Sequence, residues 1–135
     1  SKKDGRNFFV AETCEYQRHF MAFSPSKIIL TSVESDHQDY YPTFEDIQNA
    51  FVDYICRLPE NGSLIYCADD GGAVETALLA KKRRTDIKLV PYGEKAEGKF
   101  KVTFGDAQKG RQNFSISFLG DLFPYIQLLN VLLRQ

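Results

Sequence analysis

Short apolar runs rich in β-branched residues alternate along this chain with longer stretches whose apolar residues recur at helical spacing. Such alternation permits few folds. A short apolar strand followed by an amphipathic helix and another apolar strand closes by a right-handed crossover, giving a mostly parallel sheet with helices packed on it. The runs are residues 7–11 (NFFVA), 27–33 (KIILTSV), 63–67 (SLIYC) and 87–92 (IKLVPY). Between the second and third, Ile47, Phe51, Tyr54, Ile55 and Leu58 fall on one helical face. Thr43, followed by Glu45 and Asp46, supplies a hydroxyl cap and first-turn acids for that helix, and the turn at residues 59–62 ends it. A second helix is predicted over residues 73–82, with a basic end at residues 81–84.

After Gly93 the pattern changes. Residues 99–104 and 113–119 alternate polar and apolar around a turn-rich stretch, which predicts an antiparallel hairpin at a sheet edge. The apolar tail, residues 121–135, reads as a helix with Pro124 in its first turn. No repeat, linker or low-complexity tract divides the 135 residues, so residues 1–135 are expected to form a single α/β domain.

Composition excludes several classes of function. A net charge of −1 gives no field favouring nucleic acid or an anionic membrane surface. No apolar run approaches the roughly 20 residues that cross a bilayer, and the first residues lack a secretory apolar segment, so a cytoplasmic location is expected. Cys14, Cys56 and Cys67 show no CxxC spacing and read as reduced thiols without a zinc or disulfide role.

The densest polar group is residues 33–41, VESDHQDYY, at the carboxyl end of the second run. Parallel sheets bind ligands at that edge. His37 offers a nitrogen to a metal, and Asp36 and Asp39 offer oxygens or orient the ring. Glu12 ends the first run at the same edge, and one strand–crossover–strand unit fits between it and His37. A carboxylate and an imidazole, completed by water and phosphate oxygens, suit Mg2+. The bland alternatives are a solvated histidine, and a helix over residues 14–23 begun by Glu12 and Glu15. Asp69 and Asp70 follow the third run; they suit either a ribose hydroxyl or, more simply, a helix N-cap. His19, among Tyr16, Phe20 and Phe23, reads as packing.

Residues 9–16 (FVAETCEY), Ser24-Pro25, residues 31–41 (TSVESDHQDYY), 58–62 (LPENG) and 67–70 (CADD) resemble, in order, the motifs of the Mur ligase central domain. The resemblance covers residues 7–93, and several spaced motifs in order are far more specific than any one. It implies an ATP-binding domain of a cytoplasmic peptidoglycan-precursor ligase that phosphorylates a carboxylate and lets an amine displace the phosphate. The pattern is most similar to the member joining L-alanine to UDP-N-acetylmuramate; a murein-tripeptide recycling ligase is the near alternative. The resemblance places Glu12 and His37 as Mg2+ ligands and sets Asp69 and Asp70 near the nucleotide pocket.

The sequence also departs from that pattern. It holds no G-x-x-x-x-G-K-[ST] phosphate loop, Ser32 stands where the family usually has Asn, and residues 118–124 lack the family's His-Asn pair. The stretch alone is therefore expected to be inactive, with a non-catalytic α/β interaction module or a stand-alone metal-dependent hydrolase as readings from other classes. Without a strand and helix for the phosphate loop, one sheet edge or face should lie open, which predicts a homodimer or a covering contact from the tail.

Overall fold

The computed structural model describes residues 9–108, 111–118 and 121–129. A 3-10 segment, Tyr16–Ala22, precedes β1 (Lys27–Leu30), α1 (Phe44–Ile55), β2 (Ser63–Cys67), α2 (Gly71–Arg83) and β3 (Lys88–Tyr92). β4 (Val102–Gln108), β5 (Arg111–Phe118) and β6 (Asp121–Leu129) follow. The first three strands form a parallel sheet in the order β1-β2-β3, and the last three form an antiparallel sheet in the order β4-β5-β6. The expected parallel sheet with crossover helices and a C-terminal hairpin is what the chain forms.

Alternation along β1 builds the core. Ile28 and Leu30 are buried while Lys27 and Ile29 are exposed. In register with Ile28 lies Leu64 of β2, and these side chains join Ile47, Val52 and Ile55 of α1 and Ala73, Ala77 and Ala80 of α2 in one cluster. The alanines let α2 pack close to its neighbours. Thr43 caps α1 through a reciprocal pair: its hydroxyl accepts from the Asp46 amide while the Asp46 carboxylate accepts from the Thr43 amide. Asp70 caps α2 by accepting from the Ala73 amide at 2.6 Å.

Three expectations are corrected. Residues 9–11 of the first apolar run are not a strand, and Phe9 and Val10 are 88% and 85% exposed; Asn7 and Phe8 lie outside the described residues. It joins neither sheet, and no strand among the described residues lies beside the outer edge of β1. The alternative helix over residues 14–23 is replaced by short 3-10 turns, broken where Gln17 and Arg18 adopt left-handed backbone (φ 49° and 60°). The tail is not a helix: residues 121–129 are β6, and residues 130–135 lie outside the described residues. The hairpin strand edge offered by β5 outweighs helix propensity there, as ambiguous apolar runs allow. Pro124 sits where the β5–β6 register slips between Phe114 and Ile116, on an edge strand, where its missing N–H costs least.

The hairpin also differs in placement. It belongs to its own three-stranded sheet, and a bridge between Gly93 and Lys101 joins the start of that sheet to the end of β3. Gly93 has φ +123°, and a Cβ there would lie 2.3 Å from the Asp69 carboxylate, so only glycine fits this junction.

Candidate divalent-cation site

β1 ends at Leu30, and the chain then runs irregularly through residues 31–37 before turning. The turn is closed on the His37 carbonyl, which accepts from the amides of Tyr40 (2.8 Å) and Tyr41 (2.7 Å). His37 itself has φ 53°, a left-handed conformation uncommon outside glycine, and its amide donates to the Asp36 carboxylate at 2.6 Å. This geometry turns the imidazole toward the segment before the 3-10 turns. Nε2 of His37 lies 3.1 Å from Oε1 of Glu15 and 3.9 Å from Oδ2 of Asp36.

Glu15, Asp36 and His37 each offer a ligand atom, and these atoms all lie within 4.8 Å of one another. Two carboxylates and an imidazole are an oxygen-rich donor set that suits a divalent cation able to keep waters or phosphate oxygens in its remaining positions. Glu15 and His37 are partly shielded, which strengthens their attraction for an ion, whereas Asp36 is exposed. Around them lies a ring of aromatic side chains. Tyr16 packs its ring 4.7 Å from the imidazole and donates its hydroxyl to Asp39 at 2.9 Å. That hydrogen bond and the Asp39 charge hold the Tyr16 phenol above its ordinary pKa. Tyr41 is buried and donates to the Glu15 carbonyl at 2.6 Å; burial, followed by the neighbouring Tyr40, raises its pKa.

A cleft of about 590 Å³ runs beside β1. Ile28, Ile29 and Leu30 form its apolar wall, and Glu12, Glu15, Glu34 and Asp36 its acidic end. Of the two expected cation ligands, His37 therefore sits inside the three-residue group, while Glu12 is exposed, outside that group, and lines the adjoining cleft. Asp36 is legible in the sequence as a donor beside His37. Glu15 reads there only as a helix-start acid, although it lies in the same short run as Glu12. Asp39 supports Tyr16 instead of joining the cluster.

Asp69 and Asp70 stand at the same sheet edge, and their carboxylates hold the backbone. One oxygen of Asp70 accepts from the amides of Ala73 and Val33, tying the start of α2 to the loop after β1. Asp69 accepts from the amides of Lys95 (2.7 Å) and Glu94 (2.8 Å); those two bonds hold its carboxyl below the ordinary carboxylate pKa. The helix-cap alternative is thus what the structure shows for Asp70. His19 is exposed and meets Tyr16 edge-on at 6.4 Å, so it packs on the surface only. The three cysteines are free, and burial raises the Cys56 thiol.

Comparison with known proteins places these features in a family. The profile of the Mur ligase middle domain matches residues 1–129. A UDP-N-acetylmuramate–L-alanine ligase of Treponema pallidum (strain Nichols) is 50% identical over 121 residues, which is 89% of this chain and 25% of that protein. The Borreliella burgdorferi ligase of the same name is 36% identical over 128 residues, 95% of this chain and 25% of that protein. The chain thus spans about a quarter of the length of the curated relatives it matches. Among solved structures, MurF ligase from Thermotoga maritima in complex with ADP superposes with TM-score 0.57 at 18% identity, over 82% of this chain and 24% of that one. An FPGS-AMPPCP complex superposes with TM-score 0.58 at 13% identity, over 78% and 24%.

Proposed function

The chain belongs to the Mur ligase family as its middle domain, and from that membership we propose that it is the ATP- and Mg2+-binding part of a UDP-N-acetylmuramate–L-alanine ligase. The observation that carries this reading is the His37 group. An imidazole and two carboxylates converge at the carboxyl edge of a parallel sheet, in a chain half identical to a ligase of that name.

The reaction class asks for little covalent chemistry from the protein. A carboxylate of the sugar nucleotide takes the terminal phosphoryl group of ATP, and the amine of L-alanine then displaces that phosphate to form the amide. Mg2+ would be held by His37 with oxygens of Glu15 and Asp36, and Glu12 stands in the adjoining cleft to meet the ion or its waters. When bound, the ion supplies neutralisation of phosphate charge. Tyr16 and Tyr41 hold the ligand-bearing segments, and the apolar wall of β1 keeps one side of the cleft dry.

Asp69 and Asp70 shape the nucleotide side of this edge by fixing the backbone after β2, since their carboxylates already accept two amides each. The sequence contains no Gly-Lys-[Ser/Thr] phosphate loop, so the whole protein supplies phosphate cradling from another segment, along with the sugar-nucleotide and amino-acid sites. Among the described residues no helix is long and apolar enough to cross a membrane. We place the enzyme in the cytoplasm, where ATP is available.

The test uses the whole protein with ATP, Mg2+, UDP-N-acetylmuramate and L-alanine. Phosphate release that requires all four is expected. No release above background with L-alanine or related amino acids overturns the assignment.

A further inference from the structure

Two tyrosine hydroxyls cross between the segments that carry the cation ligands. Tyr16, next to Glu15, reaches forward to Asp39 in the His37 turn at 2.9 Å. Tyr41, in that turn, reaches back to the Glu15 carbonyl at 2.6 Å. Tyr41 is also bound to His37 through the backbone, its amide donating to the His37 carbonyl at 2.7 Å. One residue thus holds His37 with its main chain and Glu15 with its side chain. We propose that Tyr41, with Tyr16 as its crossed counterpart, is a positioning residue that fixes the Glu15 segment against His37 for cation binding. The proposal rests on the cation reading given above.

The need for such a strap is visible in the backbone. Gln17, Arg18 and His37 all adopt left-handed φ (49°, 60° and 53°), and all lie within three residues of a cluster ligand or are one. Non-glycine residues hold that conformation only when their surroundings impose it. Phe20 anchors the far end of the 3-10 segment against Phe51 and Tyr54, and Arg18 pairs with Asp53 of α1. The Arg18 amide also donates to the Glu15 carbonyl, at 2.8 Å, so these contacts tie Glu15 toward α1. The bond from Tyr41 ties it to the His37 turn. It is shielded, because the Tyr41 side chain belongs to the buried core, whereas the Tyr16–Asp39 bond is exposed and exchanges with water. Losing the Tyr41 hydroxyl leaves the Glu15 carbonyl with the Arg18 amide but without its tie to the His37 turn, so the segment can drift from His37, although the phenyl ring still fills its place.

The experiment compares Mn2+ binding to the whole protein and its variants, read from the EPR signal of free Mn2+, with thermal unfolding measured in parallel. Tyr41→Phe is expected to weaken Mn2+ binding about three- to tenfold, the usual worth of one shielded hydrogen bond. Its unfolding temperature without metal should stay within about 2 °C of the parent. Tyr16→Phe should weaken binding about twofold, as an exposed bond does. Unchanged Mn2+ affinity in Tyr41→Phe, with His37→Ala losing the ion, overturns the positioning role. Unchanged affinity in His37→Ala overturns the cation reading beneath it. Should Tyr41→Phe fail to fold, Tyr16→Phe decides: weaker Mn2+ binding supports the strap, and unaltered binding refutes it.

Discussion

His37 is the residue on which the site turns, and its conformation shows why. Its left-handed φ of 53° is stabilised by the Asp36 carboxylate on its own amide and by two amides on its carbonyl, so the backbone alone aims the imidazole at Glu15. Replacing it by alanine removes the only nitrogen donor of the group; Mn2+ affinity should fall about tenfold or more, checked by titration of the whole protein. Glu12→Gln tests the carboxylate that the motif singled out. It lies outside the three-residue group but lines the acidic end of the cleft, and a similar loss is expected if it meets the ion or its waters. Elsewhere, the charge on Asp86 is held by the Arg84 guanidinium at 2.6 Å, which lowers the carboxyl to about 2 from 3.8. A depressed folded-state pKa contributes stability above the unfolded value and loses it as pH falls through the folded value. The stability difference between the parent and Asp86→Asn should therefore be constant from pH 7 down to about 4 and shrink toward zero as pH approaches about 2. Urea unfolding across that range measures it.

The start of α2 carries the loop after β1, because a single Asp70 oxygen receives amides from both. Asp70→Ala loses the helix cap and leaves the Val33 amide seeking another partner, at a cost of about 1–3 kcal/mol in urea unfolding. Gly72 makes the same junction from the other side: a Cβ there would sit 2.0 Å from the Val33 carbonyl oxygen. Gly72→Ala should cost about 1–3 kcal/mol, and it should also raise the Mg2+ requirement of phosphate release, since the loop it displaces leads to His37. Elements of this kind are partly legible in the sequence. The hydroxyl and acids at residues 43–46 mark the start of α1, and the run 63–67 matches β2 from end to end, because cap chemistry and β-branching are local signals. The strand at 121–129 is not legible, since an apolar run chooses between helix and strand according to the edge offered to it, here that of β5. Glu15 escapes notice for a related reason. Its pairing with His37 spans 22 residues, beside two left-handed residues, Gln17 and Arg18, that no propensity anticipates.

The face of the parallel sheet away from the core presents Ile29, Ile65 and Val90 in register across β1, β2 and β3. Ile29 is 67% exposed, on a strand whose outer edge no described strand pairs. The tail was one expected cover for the open side, but residues 121–129 pair with β5 in the other sheet and take no part in this one. An unpaired edge joined to an apolar face is a template for another chain. In the whole protein, of which relatives have about four times this length, further segments are available to lie against it. In the isolated 135-residue chain no described strand pairs that edge, and a second copy can. The isolated chain is therefore expected to sediment as a dimer or larger species at micromolar concentration, and Ile29→Lys, which places a charge on that edge, should shift it toward monomer. The same substitution in the whole protein should lower the unfolding temperature, because there the lysine would be buried against its own chain. A strictly monomeric isolated chain would show that the edge is already satisfied, and a whole protein indifferent to Ile29→Lys would show that its other segments leave β1 bare.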